Sequence, residues 1–173
     1  VAVVAVALFL LAGCQAKAPP PAAPEPTAAD RLGAAKTALA AGDAAKALAE
    51  LTEAVRLDPA SAEAQLLLDT CAYKLGDADR GEAALRRAMT LAPASPRPYE
   101  ALGVALYGRK QPEAARAALE TAVAKGSTNP RTYYYLGNLA LAAGDCHNGM
   151  ESYRRALALD PAFAPARTEY ESA

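Results

Sequence analysis

Two patterns of apolar residues divide this chain. The first 12 residues carry neither a charge nor a polar side chain. From Ala28 onward apolar and polar residues are mixed, and certain apolar positions recur at a fixed interval. No strand-like run of alternating Val, Ile and Thr is longer than a few residues. Ala, Leu, Glu and Arg, which all favour helices, are abundant. The pattern therefore predicts an all-α fold.

The recurrence interval is 34 residues. The recurring positions are an alanine, a leucine or tyrosine, a proline and a glycine. They are Ala54, Ala88, Ala122 and Ala156; Leu51, Leu85, Leu119 and Tyr153; Pro59, Pro93 and Pro161; and Gly42, Gly76 and Gly144. The interval predicts four units without insertions, at residues 28–61, 62–95, 96–129 and 130–163. Residues 164–173 are expected to form a short C-terminal cap.

This pattern resembles the tetratricopeptide repeat, a helix-turn-helix unit of the same length. The third and fourth units carry the resemblance best, through Tyr99, Leu102, Gly103, Leu106, Ala115, Leu119 and Ala122 and through Tyr133, Leu136, Gly137, Ala140, Tyr153, Ala156 and Pro161. The resemblance implies a right-handed superhelical solenoid of four stacked helical hairpins. It also implies that the first helix of each unit lines a concave groove that binds other proteins.

Glycine is expected to shape each hairpin at two places. Gly103 and Gly137 lack a Cβ, so the two helices of their units can approach closely. Glycines 42, 76 and 144 can end the first helix with a positive φ, and the aspartate that follows each of them can cap the second helix. The proline near the end of a unit then stops the second helix.

Departures from the repeat lead to further expectations. Asp69 replaces the close-contact glycine of the second unit and should loosen that hairpin or lie at an edge. Ala34 and Ala35 replace Leu and Gly in the first unit, which we expect to be less tightly packed. The third unit ends in Lys125-Gly126-Ser127, so its junction with the fourth unit is expected to differ in angle. Tyr170 is expected to cover part of the final apolar face.

The N-terminal apolar segment ends in Leu11-Ala12-Gly13-Cys14, which resembles the lipobox of bacterial lipoproteins. The segment is shorter than the roughly 20 residues that span a bilayer, so residues 1–13 are predicted to be a signal peptide. The resemblance implies a covalent lipid on Cys14. It also implies the outer membrane, with the protein facing the periplasm, because the residue after Cys14 is Gln15 and not the Asp that retains such lipoproteins in the inner membrane. The alternative is an ordinary signal peptide with an incidental cysteine. Residues 14–29, rich in Pro and Ala, are predicted to form an extended linker that reaches about 40 Å.

The predicted concave surface combines aromatic, basic and amide side chains. Helical spacing places on it Glu63, Leu66, Val104 and Leu141 together with the candidate binding residues Lys36, Thr70, Tyr73, Lys74, Arg97, Glu100, Tyr107, Arg131, Tyr134 and Asn138. Asn138 can bond a backbone amide, Arg97 and Arg131 can bind a carboxylate, and the tyrosines offer rigid contact area. The alternative interpretation is that these residues form solvated helix faces.

Charge and cysteine content narrow the function classes. The chain has 18 basic and 19 acidic residues and a net charge of −1, which does not suit a nucleic-acid binder. Cys71 is predicted to fill the core, and Cys146, beside the single histidine His147, is predicted to pack rather than to act as a nucleophile. The sequence has no C-x-x-C, phosphate loop or H-E-x-x-H. We therefore expect no metal, no cofactor besides the lipid, no small-molecule substrate and no enzymatic activity.

The sequence thus favours a lipid-anchored adaptor that binds an extended peptide or a helix of other envelope proteins. It is similar to small repeat lipoproteins of pilus and secretion-system assembly, which makes such an assembly the first expected setting. One alternative is a self-associating structural component of an outer-membrane or peptidoglycan biogenesis complex. A second alternative is an enzyme with a minimal site at Cys146 and His147.

Overall fold

The computed structural model describes residues 25–172 of the chain. The predicted signal peptide, Cys14 and most of the predicted linker lie outside these residues. Within them the chain forms nine α-helices and no strand. The all-α prediction is confirmed.

The helices form four hairpins and one further helix. They are α1 (Ala28–Ala40), α2 (Ala44–Leu57), α3 (Ala62–Lys74), α4 (Ala78–Leu91), α5 (Arg97–Gly108), α6 (Pro112–Ala124), α7 (Pro130–Ala142), α8 (Cys146–Leu159) and α9 (Ala164–Ser172). The most extensive contacts join the two helices of each hairpin. Further contacts join the second helix of a hairpin to the first helix that follows it. The hairpins therefore stack in chain order as a helical-repeat solenoid, as predicted.

The apolar core consists of successive clusters between the helices. Leu85 of α4 packs with Leu66 of α3 and with Leu102 of the next hairpin. Leu119 of α6 packs in the same way with Leu139 of α7. Each hairpin thus completes the core of its neighbour, which explains why the stack is continuous.

The helix α1 begins at Ala28, two residues before the end of the predicted linker. The hydroxyl of Thr27 accepts a hydrogen bond from the backbone N–H of Asp30 at 3.2 Å, and the Asp30 carboxylate accepts one from the backbone N–H of Thr27 at 2.9 Å. This reciprocal capping box satisfies two N–H groups that the first turn leaves free. The linker prediction was therefore two residues too long.

The turn between the helices of a hairpin follows the glycine–aspartate prediction in three of four units. Gly42, Gly76 and Gly144 have φ values of 80°, 81° and 80°, and the aspartate after each accepts a hydrogen bond from a backbone N–H of the next helix. In the third unit Lys110 takes the same left-handed conformation, with φ 58°. Gln111 makes no side-chain cap there, and α6 begins instead with Pro112.

The close approach of the helices at Gly103 and Gly137 is confirmed. A Cβ on Gly103 would lie 2.4 Å from Cγ of Leu119, and one on Gly137 would lie 2.4 Å from Cε1 of Tyr153. Both distances are far below van der Waals contact, so the second helix packs directly on the glycine backbone. Glycine is therefore required by the packing of these two hairpins.

Asp69 is buried between α3 and α4, so the prediction that it could lie at an edge was wrong. The residue is only 7% exposed. Gly81 of α4 makes room for its side chain, because a Cβ on Gly81 would lie 3.1 Å from Oδ1 of Asp69. Burial raises the pKa of Asp69 to about 6, and the positive charge of Arg109 opposes this effect. A carboxyl group thus fills the place where the third and fourth hairpins have Gly103 and Gly137.

The short helix α9 packs against α8 through Ala166, which is fully buried. Tyr170 remains 39% exposed and lies outside the apolar cluster that Ala166, Tyr153 and Ala156 form. Phe163, at the end of the loop before α9, packs against this cluster instead. That Tyr170 covers part of the final apolar face stays a prediction.

Candidate protein-binding face

The first helices of the hairpins line the inside of the curved stack. Contacts join α3 to α5 and α5 to α7, whereas no contacts of comparable extent join second helices to one another within residues 25–172. Helices that converge lie on the inner side of a curved array. The concave face is therefore formed by α3, α5 and α7, with α1 beside them.

Six of the predicted binding residues are exposed on the first helices. They are Thr70, Tyr73 and Lys74 on α3, Arg97 and Tyr107 on α5, and Arg131 on α7. Tyr73 and Tyr107 are among the most exposed large hydrophobic residues of the described chain, at 42% and 36%. Their rings combine apolar area with a polar hydroxyl, a combination that is common at protein interfaces.

Lys36 is also exposed, but it is already paired. Its Nζ lies 3.1 Å from Oε1 of Glu63, across the junction between α1 and α3. Both side chains are largely solvated, so the ion pair contributes little to stability. It does neutralise the charge of Lys36 on this part of the concave face.

Leu66, Leu141 and Glu100 are engaged within the protein. Leu66 is only 8% exposed and belongs to the core, and Leu141 packs against Gly149 of α8, where an added Cβ would lie 2.6 Å from Cδ2 of Leu141. Placing these two leucines on the groove surface was therefore wrong, because their side chains turn toward the next helix. Glu100 accepts a hydrogen bond from the hydroxyl of Ser127 and one of 3.0 Å from Nδ2 of Asn129.

Asn138 links two tyrosines of different helices. Its Oδ1 accepts a hydrogen bond of 2.7 Å from the hydroxyl of Tyr153, and its Nδ2 donates one of 3.4 Å to the hydroxyl of Tyr107. Burial is the main cause that raises the pKa of Tyr153 to about 12, so the hydroxyl stays protonated and can donate. Asn138 therefore holds Tyr107 in place on the concave face.

Aromatic rings form a continuous row from the concave face to the end of the stack. Tyr107 packs against Tyr135 with ring centroids 4.9 Å apart, and Tyr135 packs against Tyr134 at 5.4 Å. Tyr134 in turn meets Phe163 edge-on at 5.8 Å. Tyr134 is thus half-buried and supports the end of the stack, while Tyr135, which the sequence analysis did not include, supports Tyr107. The sequence did contain a signal for this role of Tyr135, namely its position directly beside Tyr134.

The two cysteines of the described chain differ in environment. Cys71 is buried in the first core cluster, as predicted, and burial raises the pKa of its thiol. Cys146 is exposed at the start of α8, so its predicted role in packing was wrong. Residues 25–172 contain no group of three or more His, Cys, Asp or Glu residues arranged to hold a metal ion.

Two shallow cavities open between helices of the stack. One of about 150 Å³ opens between the first and second hairpins, with Leu32 and Ala54 in its wall. Another of about 260 Å³ lies between α6, α7 and α8, beside Tyr133 and Arg155. In the second wall the Glu151 carboxylate accepts hydrogen bonds from Arg154 and Arg155, which lower its pKa to about 2. The Glu151 carboxylate therefore stays ionised and is bound by two arginines of its own helix.

No helix within residues 25–172 is long and apolar enough to span a membrane. The stacked hairpins and their concave face of exposed tyrosine, lysine and arginine define a helical-repeat protein of the protein-interaction class. The chain belongs to the tetratricopeptide repeat family. Two models described as tetratricopeptide repeat match it, at residues 38–104 and 100–164.

Solved structures of other helical-repeat proteins share the fold. PilW, described as a widely conserved type IV pilus biogenesis factor, is 23% identical, with 82% of this chain and 66% of that chain covered and a TM-score of 0.75. MamA is 24% identical, with coverages of 79% and 80% and a TM-score of 0.64. YrrB, described as having an unusual peptide-binding site, is 16% identical, with coverages of 83% and 74% and a TM-score of 0.65. No curated protein matches the chain in a sequence search.

Proposed function

We propose that this protein is a lipid-anchored scaffold of the bacterial envelope that binds a segment of a partner protein on its concave face. The observation that carries the proposal is the exposure of Thr70, Tyr73, Lys74, Arg97, Tyr107 and Arg131 on three successive first helices. Aromatic and arginine side chains are enriched at protein interfaces. Proteins built from this repeat are typically interaction modules rather than enzymes, which agrees with the surface.

The dimensions of the face suit an extended peptide or a helix. Arg97 and Tyr107 are ten positions apart on α5, which corresponds to about 15 Å along the helix axis. About five residues of extended chain cover that distance. The described peptide-binding site of YrrB, a protein of the same fold, supports a ligand of this kind.

The experiment that tests binding is site-specific photo-crosslinking in the cell. A photoreactive side chain in place of Tyr107 or Tyr73 is expected to give adducts of discrete size, because both positions are exposed on the concave face. Arg87, exposed on α4 of the opposite side, is the control position. Adducts of equal yield and pattern from Arg87, or none from either tyrosine, would contradict the proposal.

The membrane anchor is part of the proposal and lies outside the described residues. The apolar segment that ends in Leu11-Ala12-Gly13-Cys14 supports a lipid on Cys14, and two or three acyl chains would hold the protein to the membrane. In this proposal the outer membrane carries the protein and the concave face lies in the periplasm. Cys14→Ser should release the protein from the membrane fraction, with Cys146→Ser as the control. Unchanged membrane association of Cys14→Ser would disprove the anchor.

Pilus or secretion-system assembly is the proposed setting, and the shared fold with the pilus biogenesis factor PilW supports it. Deletion of the gene should then reduce surface pili or secretion. Complementation with a Tyr73→Ala, Tyr107→Ala variant should restore less of the function than wild type does. Full restoration by this variant would mean that the concave face is not required for that assembly.

The second candidate function is a self-associating component of an outer-membrane or peptidoglycan biogenesis complex. Two exposed apolar residues on the last two helices favour it: Leu159 of α8 is 43% exposed and Tyr170 of α9 is 39% exposed. Light scattering distinguishes the two functions, since self-association requires a mass that rises with concentration. A Leu159→Ser, Tyr170→Ser variant should then remain monomeric.

A further inference from the structure

The acidic side chains on the concave face are occupied within the protein. Glu63 forms its ion pair with Lys36 at 3.1 Å. Glu100 accepts hydrogen bonds from Ser127 and Asn129 and is tied to the connection between α6 and α7. Neither carboxylate is therefore available to neutralise a cation elsewhere on the face.

Three basic side chains on the same face have no such partner. Lys74, Arg97 and Arg131 are exposed, and none of them forms an ion pair with a carboxylate of residues 25–172. Other arginines, such as Arg86 and Arg154 on second helices, are paired with a glutamate of their own helix. The concave face thus has a local positive surplus, although the whole chain has a net charge of −1.

The two arginines occupy equivalent places on adjacent helices. Arg97 is the first residue of α5 and Arg131 the second residue of α7, and the two positions are separated by one repeat interval of 34 residues. Because α5 and α7 are in contact, their axes lie about 8–10 Å apart. On a segment in the polyproline II conformation, which has three residues per turn, two carboxylates three positions apart lie on the same side and about 9 Å apart. A guanidinium binds a carboxylate through two parallel hydrogen bonds, so each arginine can bind one of the two carboxylates.

We propose that the ligand of the concave face is an extended acidic segment of a partner protein, with carboxylates about three positions apart that pair with Arg97 and Arg131. This inference rests on the function proposed above. The exposed rings of Tyr73 and Tyr107 then contact the segment where it crosses the face toward the ends of α3 and α5. A nucleic acid is less well matched, because few cations are present and the overall charge is negative.

The test is selection from a display library of random peptides, about 12 residues long, against the folded chain from residue 25 onward. The enriched peptides should be acidic, with two Asp or Glu residues three positions apart, because that spacing brings both side chains to one side of a polyproline II segment at about 9 Å. An enriched peptide is then compared by fluorescence anisotropy with its Asn/Gln counterpart and with a single-stranded oligonucleotide. Binding should weaken with rising salt, because the contact is electrostatic.

The matched variants are Arg97→Glu, Arg131→Glu and, as a control, Lys46→Glu, Arg87→Glu. Both double variants change the net charge equally, but Lys46 and Arg87 are exposed on second helices. The first pair should weaken the acidic peptide about tenfold or more, while the control pair leaves it within about twofold. Circular dichroism establishes that each variant is folded.

The outcomes separate this inference from the proposed function. If neutral or basic peptides are enriched and their binding is lost in Tyr73→Ala, Tyr107→Ala, the face binds peptides but the acidic ligand is wrong. Tighter binding of the oligonucleotide than of any peptide would also overturn it. If no peptide binds in a manner that depends on the concave residues, the proposed function fails as well.

Discussion

Gly137 of α7 lies against the ring of Tyr153 of α8, so closely that a Cβ on Gly137 would fall 2.4 Å from Cε1 of the ring. The ring is 1% exposed, and its hydroxyl reaches past the glycine to Asn138 at 2.7 Å. Asn138 in turn donates to the hydroxyl of Tyr107. The absence of one side chain thus lets the outer helix support a tyrosine on the concave face.

Gly137→Ala should therefore destabilise the protein. The added methyl group cannot be accommodated without moving the ring, and overpacking of this kind costs about 1–3 kcal/mol. Urea unfolding measures the effect. Gly33→Ala is the control, because nothing lies within 4 Å of a Cβ at Gly33, and replacing glycine inside a helix should raise the stability by about 0.5–1 kcal/mol. Similar effects of the two substitutions would mean that the Tyr153 contact does not constrain residue 137.

Lys110 offers a stabilising substitution. It has φ 58° at the place where the other three units have glycine with φ near 80°. A left-handed conformation is unfavourable for a residue with a Cβ by about 1–2 kcal/mol, and glycine avoids that cost at the expense of a more flexible unfolded chain. Lys110→Gly should therefore raise the stability by roughly 0.5–1 kcal/mol, measured as a higher Tm.

The converse substitution is Gly144→Ala at the equivalent turn of the fourth hairpin. It should lower the Tm, because alanine would have to adopt φ near 80°. If both substitutions change the Tm in the same direction, the backbone conformation of these turns is not what determines the effect.

The buried carboxyl of Asp69 should make stability depend on pH. Its pKa is raised to about 6 in the folded protein, and the ordinary value in an unfolded chain is about 3.9. Between these values the folded state binds more protons than the unfolded state, so the free energy of unfolding falls as pH rises from about 4 to about 6 and then levels off. Asp69→Asn removes the charge and should raise the Tm at pH about 8 but change it little at pH about 4.

The control for this prediction is Asp79→Asn. Asp79 is exposed in the first turn of α4, next to the same hairpin interface. This variant should retain the difference in Tm between low and high pH that wild type shows over the range where Asp69 titrates. Persistence of that difference in Asp69→Asn would show that another group causes it.

The repeat register made the hairpins predictable because each of its recurring positions has a local cause. Glycine permits the positive φ of the turn at Gly42 and Gly76, and the aspartate after each caps the next helix through its own backbone neighbours. The same register places Lys110 at the glycine position, so its unusual φ could also have been predicted from the alignment of the units. Local rules of this kind require no knowledge of distant residues.

Helical spacing did not predict the neighbours of Asp69, Tyr134 and Glu100, because those neighbours come from other parts of the fold. Asp69 is buried because Gly81, on another helix, leaves room for it. Tyr134 turns toward Phe163, which lies beyond the end of its own hairpin. Glu100 meets Ser127 and Asn129 in a connection that follows the next helix. Helical spacing assigns a residue to a face, but the neighbours of that face decide whether its side chain remains available for a ligand.

Glu100 provides the clearest test of that distinction. Glu100→Ala leaves the hydroxyl of Ser127, a buried residue, and the amide of Asn129 without their acceptor. The half-buried Asn129 amide can turn to solvent, but the buried Ser127 hydroxyl keeps only its longer contact of 3.3 Å with the hydroxyl of Thr132. Weakening a buried hydrogen bond in this way costs up to about 1–3 kcal/mol, so the variant should unfold at lower urea concentration. Hydrogen exchange should accelerate at residues 125–129. This segment follows α6, contains Gly126 with φ 85° and lacks the Leu-x-Pro sequence at which the second helix of the other units ends.

The matched control is Glu113→Ala, which removes an exposed carboxylate from the first turn of α6. It should lower the stability by only about 0.3–1 kcal/mol, through the interaction of the carboxylate with the helix dipole, and should leave exchange at residues 125–129 unchanged. A Glu100→Ala protein as stable as Glu113→Ala would mean that the carboxylate does not hold the junction. Glu100 would then be available on the concave face, and the positive surplus around Arg97 and Arg131 would be smaller than the ion-pair pattern indicates.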